Sequence, residues 1–144
     1  MSQMVDLDTS VGYLLKQASS ALRSSMEAAL RPLGLTVTQY SCLELLAQRP
    51  GLSNSELARG AFITRQSMNV LLQGLEQDGL VTREAPVGKV LPTRLTPAGR
   101  RALEKASAVV RGVEVHMLSG MTDGERSDAL RILRSMIDGL GGPR

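Results

Sequence analysis

Four polar residues, Arg65, Gln66, Asn69 and Gln73, lie in the stretch ITRQSMNVLLQGLEQDGLV, whose apolar residues recur at helical spacing. On a helix of 3.6 residues per turn the four share one face. Their common chemistry is planar hydrogen bonding. A guanidinium offers two parallel donors that match guanine, and a carboxamide offers a donor and an acceptor that match adenine. Thr64, Ser67 and the unpaired N–H groups of a helix start suit phosphate oxygens. The anions Glu76 and Asp78 fall at the far end of the stretch. A solvated surface helix is the plainer use of such residues, and this helix alone leaves both readings open.

The elements that must position this face are marked by clear helix punctuation. A first helix is expected from about Asp8 or Thr9, with an apolar stripe through Val11, Leu14, Leu15, Ala18, Leu22, Met26, Ala29 and Leu30. Pro32 and Gly34 end it. TVTQ has capping-box spacing, Thr36 with Gln39, and opens a second helix that buries Tyr40, Cys42, Leu43 and Leu46. SNSE repeats the signature with Ser53 and Glu56, opening a short third helix. Thr64 caps a fourth, with Met68, Leu71, Leu72 and Leu75 inside and Asp78-Gly79 at its end.

LVTRE and KVLPTRL flank APVG and read as a β-hairpin. Pro92 is tolerable there because both strands of a two-stranded ribbon are edges. LTPAGR opens a fifth helix, with Thr96 as cap and Pro97 at its first position. Leu103, Ala106, Val110, Val113 and Met117 give it a seam for packing along another helix. TDGE opens a sixth, with Leu130, Leu133, Met136, Ile137 and Leu140. A short helix, a turn and a longer helix form a helix-turn-helix, and the hairpin after it makes it winged. That context strengthens the base-reading use of Arg65, Gln66, Asn69 and Gln73. Ser53 and Asn54 at the start of the third helix join the candidate DNA contacts, as do Arg83 and Arg94 on the strands and Lys89 at the hairpin tip. Lys and Arg also occur on hairpins for solubility and edge protection.

The 144 residues fit a single domain. With one Phe, two Tyr and no Trp, the core must be Leu, Val, Met and Ala, which suits helices better than sheets. Between Ser53 and Arg101 there are seven cations against four anions, so the formal excess of +3 belongs to this middle third. That is the mild electrostatic bias of a nucleic-acid partner. No apolar run is long enough to span a membrane. The start, MSQMVDLDTSVG, lacks the pattern of a signal peptide, so the cytoplasm is the expected compartment. One cysteine, Cys42, excludes an internal disulfide and a multi-cysteine metal site. The sole histidine, His116, has no local carboxylate beyond Glu114, and no phosphate loop or nucleophile motif is present. An enzyme is therefore not expected, and no cofactor is implied.

LTVTQYSCLELLA, LSNSELARGAFITRQSMNVLLQGLEQDGLV and TRLTPAGRRAL together resemble the multiple antibiotic resistance regulator (MarR) family of bacterial winged-helix transcription factors. The combination of Leu75 to Val81 with Leu95-Thr96-Pro97 and Gly99 carries the resemblance, which covers nearly the whole chain. It implies a mainly α fold with a small β-hairpin wing: one domain over 1–144, with a DNA-binding lobe at 36–96. Segments 8–33 and 97–140 would be dimerisation helices, interleaved between two subunits. It further implies a homodimeric repressor of double-stranded DNA that answers to a small aromatic or phenolic effector held between the lobes. Tyr13, Met26, Tyr40, His116 and Met117 are candidate lining residues, and each also has an ordinary place in a core or interface. Family wings usually carry an Asp-Arg pair near the tip, whereas PVGKV offers Lys89 alone.

Other readings remain. Some family members sense oxidants through a cysteine, but Cys42 falls in an apolar stripe, which suits a structural thiol. A winged helix can also bind protein rather than DNA, and a regulator can repress without an effector.

Overall fold

A computed structural model of the chain describes residues 4–83 and 93–142. The hairpin loop, with Glu84, Lys89 and Pro92, lies outside the described residues. Among the described residues there are six α-helices and one two-stranded antiparallel sheet, which packs against α2, α4 and α5.

The first helix, α1 (Val11–Leu30), begins later than its pattern suggests. Two caps compete there. Asp6 accepts the Asp8 N–H and starts a separate 3-10 turn over Leu7–Thr9, and Ser10 then accepts the Tyr13 N–H and starts α1. A second 3-10 turn, Arg31–Leu33, ends it. Helices α2 (Val37–Gln48) and α3 (Asn54–Gly60) both start in complete capping boxes, Thr36 with Gln39 and Ser53 with Glu56. Each box satisfies two helix-end donors reciprocally, which is why so short a helix as α3 has a sharp start. Helix α4 (Arg65–Gln77) is capped by Thr64 and ends where Gly79 turns with φ 77.

Strands β1 (Val81–Arg83) and β2 (Thr93–Leu95) pair Val81 with Leu95, Thr82 with Arg94 and Arg83 with Thr93. Helix α5 (Pro97–Met117) is capped by Thr96. The Thr96 hydroxyl donates to the Gly79 carbonyl at 2.6 Å, and its N–H to that of Leu80 at 3.1 Å, joining the start of α5 to the end of α4. Helix α6 (Asp123–Gly139) opens on the box Thr122 with Glu125. Arg126 donates to the Leu118 carbonyl at 3.1 Å and fixes the corner between α5 and α6.

The core is one aliphatic cluster that includes Leu30, Leu43, Leu57, Met68, Leu72, Leu75, Val81 and Leu103. It gathers α1 through α5 and the sheet. Tyr40, expected inside, is half-buried, because its hydroxyl turns to Glu44. The apolar residues expected to line α6 do not reach the core. Helix α6 buries no residue, and Leu130, Leu133, Ile137 and Leu140 are exposed. Val11, Leu14 and Leu15 of α1 are exposed too. In proteins most helical stability comes from packing an apolar face, and α6 packs none within this chain. Both ends of the chain thus carry apolar faces that a single copy leaves wet.

Candidate nucleic-acid interface

Helix α4 buries Met68, Leu72 and Leu75 and turns Arg65, Gln66, Asn69 and Gln73 outward. The apolar stripe fixes the rotation of the helix, and the rotation fixes which polar residues are presented. Its neighbours then set individual side chains. Asn54 on α3 donates through Nδ2 to Asn69 Oδ1 at 2.6 Å. Ser55 Oγ accepts from Arg65 Nη1 at 3.3 Å. Two of the four candidate base readers are therefore tethered by the first turn of α3, fifteen and ten residues away. The carbonyl oxygen of Asn69 keeps a second lone pair and its amide keeps donors.

Thr64 and Ser67 act on each other. The Thr64 Oγ1 accepts the Ser67 N–H at 3.0 Å and donates to Ser67 Oγ at 2.9 Å. Both hydroxyls thus shape the start of α4, where the free N–H groups and the positive end of the helix dipole favour an anion. Ser53 likewise accepts the Glu56 N–H at 3.1 Å as the cap of α3.

The sheet register separates the two strand arginines. Alternate residues of a strand face opposite sides. Val81, Arg83, Thr93 and Leu95 face inward, and Thr82 and Arg94 outward. Arg83 is half-buried, and its Nη2 donates to the Asn69 carbonyl at 3.4 Å. Strand β1 is thereby tied to the middle of α4. Arg94 lines a cavity of about 550 Å³ with Leu46, Pro50 and Arg100, toward the ends of α2 and α5. Lys89 lies outside the described residues.

A second polar cluster joins the helix-turn-helix lobe to α5. The Glu44 carboxylate on α2 accepts from the Tyr40 hydroxyl at 2.5 Å, from Gln48 at 2.8 Å and from Ser107 of α5 at 2.8 Å. Partial burial works to raise the Glu44 carboxyl, but these three hydrogen bonds and the Arg111 charge hold it below the usual glutamate value. Burial and the bond to Glu44 push the Tyr40 phenol up to about 12. Sequence spacing relates Tyr40, Glu44 and Gln48 on one helix face, but Ser107 is 63 residues from Glu44 and gives no such signal.

The remaining effector candidates are spread along α1 and α5. Tyr13 on α1 is exposed, as are His116 and Met117 at the end of α5. Met26 packs against the core. Cys42 is fully buried beside Met68, and desolvation pushes its thiol up to about 11 despite the Arg83 charge. A thiol so placed is inert.

Residues 33–89 match the MarR family. The chain is 43% identical over 131 residues to the HTH-type transcriptional repressor Rv2887 of Mycobacterium tuberculosis, covering 90% of this chain and 94% of that protein. The crystal structure of the M. tuberculosis MarR family protein Rv2887 in complex with salicylic acid is 42% identical, with a TM-score of 0.75 over 90% of this chain and 97% of that one. Its complex with DNA is 40% identical, with a TM-score of 0.74 over 90% and 98%. With that identity over almost the full length of both chains, this protein belongs to the MarR family.

Proposed function

We propose that the protein is a ligand-responsive transcriptional repressor that binds a pseudo-palindromic operator as a homodimer. The observation that carries this reading is the outer face of α4. Arg65 and Asn69 are held by Ser55 and Asn54, and Gln66 and Gln73 flank them on a helix anchored by Met68, Leu72 and Leu75. Base-edge donors on a rigid support fit readout in a major groove. Arg65, Gln66 and Asn69 supply specificity, Gln73 extends the face, and Thr64, Ser67, Ser53 and Asn54 meet the backbone. Lys89 and Arg94 add charge from the wing. Arg83 acts chiefly by positioning α4.

The exposed apolar faces of α1 and α6 support a second copy as partner. Pairing would set two α4 helices about one DNA turn apart, roughly 34 Å. The relative solved with salicylic acid supports a small aromatic acid as effector, with Tyr13, Met26, Tyr40, His116 and Met117 as candidate contacts. Such a ligand acts only by favouring one spacing of the lobes over another. The protein works in the bacterial cytoplasm, where its DNA is, and performs no catalysis. Among the described residues no helix is long and apolar enough to cross a membrane.

The test is selection of bound fragments from genomic DNA, followed by a salt titration with and without salicylate. One or a few fragments should outcompete bulk DNA, and salicylate should release them. A monomer in solution, or equal binding to all fragments, would refute the reading.

A further inference from the structure

One residue on the outer face of α4 is not polar. Val70 is 65% exposed, one position after Asn69, with Gln66 and Gln73 on the turns to either side. Helix stability does not account for it, because a β-branched valine is a poorer helix former than alanine or glutamine. Core packing does not either, since the core side of α4 is filled by Met68, Leu72 and Leu75. Solubility argues against an apolar side chain in this place. On a helix lying in a major groove, the apolar feature available to such a side chain is the 5-methyl group of thymine. Val70 is spaced one turn from Gln66 and just under one turn from Gln73. Both flanking carboxamides are matched to adenine. The part of the face from Gln66 to Gln73 therefore suits A·T pairs, with amides on adenine edges and an isopropyl group on a methyl between them.

We infer that Val70 is a specificity-determining residue that contacts a thymine 5-methyl group in each half-site. The inference rests on the DNA-binding reading above. Its test uses one genomic fragment selected by the full-length protein, made by polymerase chain reaction with either thymidine or deoxyuridine triphosphate. Uracil pairs as thymine does but lacks the methyl. Loss of one buried methyl contact weakens binding about four-fold, so two half-sites give roughly fifteen-fold. The wild type should show that discrimination, Val70→Ile should keep it, and Val70→Ser should bring it close to one. Each variant's thermal melt confirms folding, which a change at an exposed position leaves intact. Selective binding with equal discrimination in the wild type and Val70→Ser overturns the Val70 assignment alone. Absence of any preferred fragment overturns the DNA-binding reading itself.

Discussion

A methyl group placed on Gly99 would stand 2.0 Å from the carbonyl oxygen of Leu80. That carbonyl also accepts the Thr96 N–H at 3.1 Å. The first turn of α5 therefore lies directly against the backbone that links α4 to β1, and only a residue without a side chain fits. Gly99→Ala must push the two segments apart. We expect a loss of about 1–3 kcal/mol, read as a lower thermal midpoint. Gly74→Ala is the matched control: nothing lies within 4 Å of a Cβ there. It should raise the midpoint slightly, because glycine inside a helix is roughly 0.5–1 kcal/mol worse than alanine. Equal effects at the two positions would show that α5 does not dock as described.

Arg65 and Lys89 should fail differently. Arg65→Ala should weaken binding to the selected fragment by about 1–3 kcal/mol and leave binding to bulk DNA nearly unchanged. Lys89→Ala should lower affinity for all sequences and reduce the slope of log affinity against log salt by about one. Fluorescence anisotropy at several salt concentrations separates the two. Equal losses on both DNAs would make Arg65 a phosphate contact.

The Glu44 cluster predicts an acid and an alkaline limb to the stability profile. Folding holds the Glu44 carboxyl below its ordinary value, so its contribution is complete above the unfolded pKa and disappears as pH falls through the folded one. Folding raises the Tyr40 phenol from 10.0 to about 12, so its contribution is complete below 10.0 and disappears as pH rises through about 12. Urea unfolding across pH should show both limbs. Glu44→Gln should shrink the acid one, to which the capping glutamates Glu56 and Glu125 also contribute, and Tyr40→Phe should flatten the alkaline one. An acid limb of unchanged size in Glu44→Gln would assign it to the capping glutamates instead.

Cys42 should be nearly unreactive in the folded protein. It is fully buried, and its thiol lies near 11. Modification by a disulfide reagent at pH 8 should proceed only as fast as the fold opens, and in strong denaturant it should be immediate. Rapid labelling under native conditions would reinstate a redox role.

Phe62 has φ 62 and is 92% exposed, in the turn between α3 and α4. Its backbone is strained and its ring packs on little. Phe62→Gly should stabilise the protein by roughly 0.5–1 kcal/mol, net of the entropy that glycine adds to the unfolded chain. A loss of stability would reveal a contact made by the ring.

Local features were the legible ones. The pairs Thr36 with Gln39, Ser53 with Glu56 and Thr122 with Glu125 are three residues apart and form as their spacing implies. The start of α1 was less so, because Asp6 and Ser10 are both good caps and spacing does not rank them. Strand register was out of reach. Arg83 and Arg94 look alike in sequence, yet pairing sends one under α4 and the other to the opposite face. Long-range partners leave no pattern either, as with Asn54 and Asn69 or Glu44 and Ser107. Periodicity marks the stripe of α6 as apolar but does not say whether a helix packs on its own chain or on another. Val70 gives no signal in periodicity, because an outward apolar residue belongs to no stripe.

Helix α6 has no interior of its own, so in a single copy it should be the segment a protease unwinds and cuts first, and pairing with a second copy should protect it. Dilution should therefore lower the melting temperature and speed clipping near Leu140, which is 91% exposed. Scarce copies would be removed sooner than plentiful ones, giving the cell a steeper response to changes in synthesis than binding alone would provide.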